Sequence, residues 1–121
     1  MKIRVYYEDT DAGGIVYHTN YLKFCERARS EIFFQNGLKP FDESAGWFVV
    51  KEIKADFLGS AKLGDTLEVD TKLLNKKRVS IWLKQRVLLE KEVIFEMEIL
   101  LVFVKNQKPT KIPEEFLELF S

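Results

Sequence analysis

The feature that most constrains this chain is one change of hydrophobic period. From about His18 to Asn36 the residues Leu22, Cys25, Ala28, Arg29, Ile32 and Phe33 return at steps of three and four. That spacing predicts a helix with one largely apolar face, and Asn36-Gly37 supplies its stop. The loop "KPFDESAG" follows, with room for a short helical turn. After it the period falls to two. "WFVVKEIKADFLG" reads as a long strand, and "TLEVDTKLL" sets Leu67, Val69, Thr71 and Leu73 opposite Thr66, Glu68, Asp70 and Lys72. "VSIWLKQRVLL" and "VIFEMEILLVFVK" continue the strands, with "AKLGD" and "NKKR" as turns. "NQKPTK" breaks the pattern, and Pro113 suits the first turn of a short helix, "PEEFLELF". Ahead of the long helix, "KIRVYYE" alternates with Ile3, Val5 and Tyr7 on one side, which predicts a first strand over residues 2–8. One long apolar helix needs a cover. The prediction is therefore α+β, an antiparallel sheet curved around a central helix. No repeat, linker or low-complexity segment divides residues 1–121, so one domain is expected.

Charge and composition narrow the function classes. The chain carries 19 basic and 19 acidic residues, which argues against nucleic-acid binding through bulk charge. The N-terminal "MKIRVYYEDTD" lacks the apolar core of a secretory signal. The longest apolar run, "EILLVFVK", is the length of a strand and too short to span a membrane as a helix. A lone cysteine, Cys25, fits a cytoplasmic setting and forms no disulfide within the chain. One histidine and one cysteine do not build a typical zinc site, and neither a P-loop nor G-x-G-x-x-G is present. No cofactor is expected. The ten phenylalanines are read as core.

Chemistry concentrates in "YYEDTDAGGIVYHTNYLKF", residues 6–24. Each residue has a plain role available. Asp9 and Asp11 suit a turn, Gly13-Gly14 permits unusual dihedrals, Asn20 suits a cap, and Tyr7 and Tyr17 suit a core. Together they offer more. A helix start presents backbone N–H groups without intrahelical partners, at the positive end of the helix dipole. Such a place can hold the oxyanion formed when a carbonyl is attacked. A glycine turn admits the substrate, and an upstream carboxylate can attack it or activate water. All the parts for acyl-transfer hydrolysis fall in one short loop.

"EDTDAGGIVYHTNYLKFCERAR" closely resembles the N-terminal motif of the 4-hydroxybenzoyl-CoA thioesterase family. It is most similar to the YbgC-type branch, small acyl-CoA thioesterases associated with the Tol-Pal genes. The pattern D-x-D-x-x-G-x-V-Y-H-x-N-Y is met by Asp9, Asp11, Gly14, Val16, Tyr17, His18, Asn20 and Tyr21. The resemblance implies the hotdog fold, a dimeric unit often paired into a tetramer, and acyl-CoA as substrate. It makes Asp11 the catalytic carboxylate and the backbone N–H of His18 the donor to the thioester oxygen, with the imidazole as a further hydrogen bond or acid. Tyr7 and Asn20 would help orient the site, and Gly14, Val16 and Tyr17 would line it. Asp9 is read as a turn-former and Cys25 as packing. Lys62, Lys76, Lys77 and Arg78 are the candidates for the coenzyme A phosphates, with a solvated turn as their plainer role. Two other classes stay open: a dehydratase or hydratase of the same fold, whose usual helix motif is missing here, and a non-catalytic module binding acyl thioesters or acyl carrier protein.

Overall fold

The computed structural model describes residues 1–121. Seven strands form one antiparallel sheet: β1 (Lys2–Arg4), β2 (Phe41–Asp42), β3 (Gly46–Phe57), β4 (Thr66–Lys76), β5 (Ser80–Leu89), β6 (Glu92–Lys105) and β7 (Lys108–Pro109). Their order across the sheet is β1-β4-β5-β6-β3-β2, with β7 paired to β6. Helix α1 (Asn20–Gln35) lies against β4 and β5, and α2 (Glu114–Phe120) closes one end. Irregularities at Val50/Glu52, Leu73/Asn75 and Val87/Leu88 interrupt three ladders. Such bulges bend strands and increase twist, which is how one sheet curves about a helix. This is the α+β hotdog arrangement expected from the sequence.

Most elements fall where the periodicity puts them, and the differences have local causes. The first strand ends at Arg4 rather than continuing to Glu8. The chain turns at residues 7–9, where Asp9 draws the backbone into a 3-10 turn through Asp9 N–H to Tyr6 O at 2.9 Å. Ile3 and Val5 are buried, but Tyr7 is 82% exposed, on no core face. The helix begins at Asn20, two residues later than expected, because His18 and Thr19 form its lead-in turn. "KPFDESAG" contains no helical turn; Phe41 and Asp42 pair instead with Trp47 and Gly46. Gly46 sits at φ +108, where an added Cβ would run into the Val104 carbonyl. The helix stop is as read: the Asn36 side chain donates to Ile32 O at 2.8 Å, and Gly37 takes φ +72.

Against the sheet α1 buries Tyr21, Phe24, Cys25, Ala28 and Phe33. Leu22, Arg29 and Ile32, expected on that face, are only half-buried. The apolar arc is thus rotated, centred on Tyr21 with Phe24 at one edge. Tyr21 stacks on Phe95 with centroids 5.4 Å apart. Burial pushes the Cys25 thiol up to about 12, with Arg29 opposing the shift, so Cys25 is no thiolate nucleophile near neutral pH.

Candidate functional site

The site is built by a loop that leaves the 3-10 turn at Thr10 and returns at Val16. Asp11 N–H donates to Ile15 O at 2.9 Å and Gly14 N–H to Asp11 O at 3.0 Å. Thr10 and Val16 form an antiparallel bridge. Gly14 takes φ +83, a conformation costly for any residue with a Cβ, and the space above it is open. The loop is laced to the connection between β3 and β4. Val16 N–H donates to Ala61 O at 2.9 Å, Ile15 bridges Lys62, and Ala61 N–H donates to the Tyr21 hydroxyl at 3.1 Å. Burial raises the Tyr21 phenol above its ordinary value, so it stays a neutral tether between α1 and residues 59–64.

The two aspartates have opposite environments. Asp9 is 6% exposed and fully used: Oδ2 accepts from Tyr6 N–H at 2.9 Å and Oδ1 from the Asn20 amide at 3.0 Å. Its carbonyl accepts from Tyr17 N–H at 2.9 Å. Asp9 ties turn, loop and helix start together. Asn20 therefore acts on Asp9, and it makes no hydrogen bond to Asp11. Asp11 is exposed. Its Oδ1 accepts from Gly13 N–H at 2.8 Å, while Oδ2 has no partner within the chain. One oxygen orients the carboxylate and the other points to solvent, the arrangement a nucleophile or general base requires.

His18 is exposed at the start of α1. Its carbonyl accepts from Tyr21 N–H, but its own N–H donates to no group in the chain. That free donor lies seven residues after Asp11. The imidazole packs at a tilt against Tyr17 with centroids 4.5 Å apart and meets Phe57 edge-on at 6.0 Å. Tyr7, Thr10, Asp11, Ala12, Gly14 and Leu63 line an open hollow beside the loop. Thr10, Ala12 and Leu63 were not legible as site residues, because an apolar or small loop residue carries no chemical signature. Val16 is buried behind the loop and Tyr17 is exposed beside His18.

The basic candidates separate. Lys62 is exposed next to the motif loop. Lys76 ends β4 and Arg78 lies in the turn after it, where its carbonyl accepts from Ile112 N–H. Ten residues of extended strand separate Lys76 from Thr66, at the motif end of β4, so it lies roughly 33 Å along the strand from that end. Within one chain Lys76 and Arg78 do not reach the Asp11 hollow. No group of three or more histidine, cysteine or acidic side chains is placed to hold a metal.

Comparison with known proteins identifies the family. A family model described as the thioesterase-like superfamily matches residues 5–120. The chain is 43% identical to the acyl-CoA thioesterase YbgC of Helicobacter pylori, over 100% of this chain and 98% of that protein. It is 36% identical to the acyl-CoA thioester hydrolase YbgC of Escherichia coli, over 98% of this chain and 92% of that one. A crystal structure from Aquifex aeolicus superposes with a TM-score of 0.92 at 27% identity, covering 100% of this chain and 98% of the other. A helix start with an unused N–H, a carboxylate held one loop away, and family likeness over essentially the whole length converge: this chain belongs to the thioesterase-like superfamily.

Proposed function

We infer that this chain hydrolyses acyl-CoA thioesters to the free acid and coenzyme A. The observation that carries the reading is the pairing of Asp11, with one oxygen free, and the free N–H of His18 at the start of α1. The thioester oxygen accepts a hydrogen bond from His18 N–H, where the helix dipole favours the negative charge that develops. Asp11 then attacks the carbonyl carbon directly or takes a proton from an attacking water. Either route breaks the carbon–sulfur bond and releases the coenzyme A thiolate, which takes the proton Asp11 accepted from water or, in the direct route, one from solvent. In the direct route a water hydrolyses the acyl-aspartyl anhydride. In this reading the His18 imidazole hydrogen-bonds the leaving sulfur, Tyr7 borders the hollow, and Asn20 acts through Asp9. The test is thiol release from purified protein and a series of acyl-CoA esters, followed with a thiol reagent. Release above the uncatalysed rate is expected. A protein that binds acyl-CoA without releasing thiol would be a binding module and would overturn the reading. Acyl groups on acyl carrier protein present the same thioester and are a second source of substrate. The lone cysteine supports action in the cytoplasm.

We further propose that the working unit is a homodimer, itself able to pair into a tetramer, with the site in the seam. The outer edge of β3 supports this: β2 covers only Gly46 and Trp47, and the rest of that edge has no partner strand. Val49, Val50, Ile53 and Phe57, on the same strand, are 39–51% exposed. A long apolar edge invites strand pairing, and a second copy would cover it. The coenzyme A phosphates would then meet Lys62 of one chain and, from the partner, the turn bearing Lys76, Lys77 and Arg78. Complementation tests this. An Asp11→Asn chain and a Lys76→Glu/Arg78→Glu chain, each inactive, are unfolded, mixed and refolded. Mixed dimers should regain up to about half of wild-type activity per site pair, since one of two sites is whole. No recovery in proven mixed dimers would overturn the shared site.

A further inference from the structure

Arg29 has no role in the site described above, and its surroundings are unusual for a cation. It is half-buried and carries five N–H donors. One side-chain hydrogen bond is made, from Nη1 to Oε1 of Gln85 at 2.8 Å. No carboxylate lies within ion-pair distance. Gln85 is fully buried and held from its other end, its amide donating to Cys25 O at 2.9 Å and Thr71 Oγ1 at 3.0 Å. Desolvation lowers the Arg29 guanidinium below its ordinary value, and it remains charged.

His18, Leu22, Glu26, Arg29 and Phe33 follow one another at helical steps of four, four, three and four. They form one stripe of α1 and its lead-in turn. Two hollows lie along that stripe, between α1 and strands β3 and β6. The nearer, about 380 Å³, is floored by Leu22, Ile53, Met97 and Ile99, with Lys23 also lining it. The farther, about 190 Å³, is lined by Phe33, Phe48, Leu101 and Phe120. Glu26, Arg29 and Val50 border both and divide them. The nearer hollow thus starts one turn beyond the free His18 N–H and ends at a guanidinium.

Taking the thioesterase reading as given, we propose that the acyl chain lies in the nearer hollow and that Arg29, steadied by Gln85, is a specificity-determining residue that rejects saturated chains longer than roughly a dozen carbons. The length follows from the helix. Eleven residues from His18 to Arg29 rise about 16 Å, and an extended chain of roughly that many carbons spans the distance. A methylene pressed against the guanidinium removes its water and returns no hydrogen bond, which is unfavourable. A chain that stops short leaves water on the part of the guanidinium that is still exposed.

The test is kcat/KM of the intact enzyme across butanoyl- to hexadecanoyl-CoA, kept below micelle-forming concentrations. Wild type should fall by about tenfold or more between dodecanoyl and hexadecanoyl. Arg29→Met, of similar length but uncharged, should reduce that fall to about threefold or less. A purely structural Arg29 would lower every chain length alike and preserve the profile, which would overturn the proposal. Ile53→Trp fills the nearer hollow and does not depend on Arg29 variants folding; because Ile53 also lies on the β3 edge proposed to pair, the variant is compared with wild type at matched oligomeric state. It should lower the dodecanoyl-to-butanoyl ratio by about tenfold or more, and an unchanged ratio would overturn the acyl placement. Hydrolysis at all lengths with one profile in wild type and both variants would sink this inference alone. Hydrolysis at no length would sink the thioesterase reading with it.

Discussion

Asp11→Asn is expected to reduce kcat on every acyl-CoA ester by on the order of a thousandfold or more, with an unchanged melting temperature. The substitution separates charge from structure. The asparagine Oδ1 still accepts from Gly13 N–H, the one side-chain bond Asp11 makes, so the loop keeps its shape. What is lost is the ionised oxygen facing solvent, the only part able to attack a carbonyl or accept a proton from water. Thiol release and a thermal melt on the same preparation provide the check. Near-full hydrolysis by Asp11→Asn would remove Asp11 from the mechanism, and a large fall in melting temperature would show that it serves the fold instead.

The same substitution two residues earlier should do the reverse. Asp9→Asn is expected to cost about 2–3 kcal/mol of stability, a fall in melting temperature on the order of 10 °C. Asp9 is buried and accepts from two donors, Tyr6 N–H and the Asn20 amide, one on each oxygen. An asparagine has one acceptor oxygen and one NH2, so whichever way it turns, a donor faces a donor and a buried group is left unpaired. Because Asp9 also holds Tyr17 through its carbonyl, loosening it disturbs the loop carrying Asp11. Turnover should fall by about tenfold, far less than for Asp11→Asn, and recover in part on cooling. Calorimetry and rates at two temperatures measure both. A variant as stable as wild type but inactive would make Asp9 part of the chemistry.

The contrast between these aspartates marks the boundary of what local sequence could say. Both are turn formers by type, and the spacing of motif residues singled out Asp11 by resemblance. That Asp9 faces inward while Asp11 keeps a free oxygen depends on where the 3-10 turn puts each side chain against Asn20, eleven residues on. Alternation in "KIRVYYE" correctly buried Ile3 and Val5 but extended the strand through Tyr7. Alternation reports which face is apolar, and it does not report where a turn bond stops the ladder.

By itself the sequence determined the period of α1, the alternation of β4, the α+β class and, by resemblance, the motif from which Asp11 is proposed to act. These rest on contacts within a few residues or on the geometry of one element, so they survive without knowledge of neighbours. The tertiary structure alone decided the strand order, in which β1 pairs with β4 across some sixty residues and β3 is left beside an open edge. It decided that the arc of α1 is centred on Tyr21, leaving Arg29 to line a hollow with Gln85 as its one partner. It also set Lys76 and Arg78 at the far end of β4 while keeping Lys62 near Asp11. The physical reason is common to all three. Sheet pairing and helix rotation are settled by which arrangement buries the most apolar surface with every backbone group paired, a property of the whole chain that no short stretch contains.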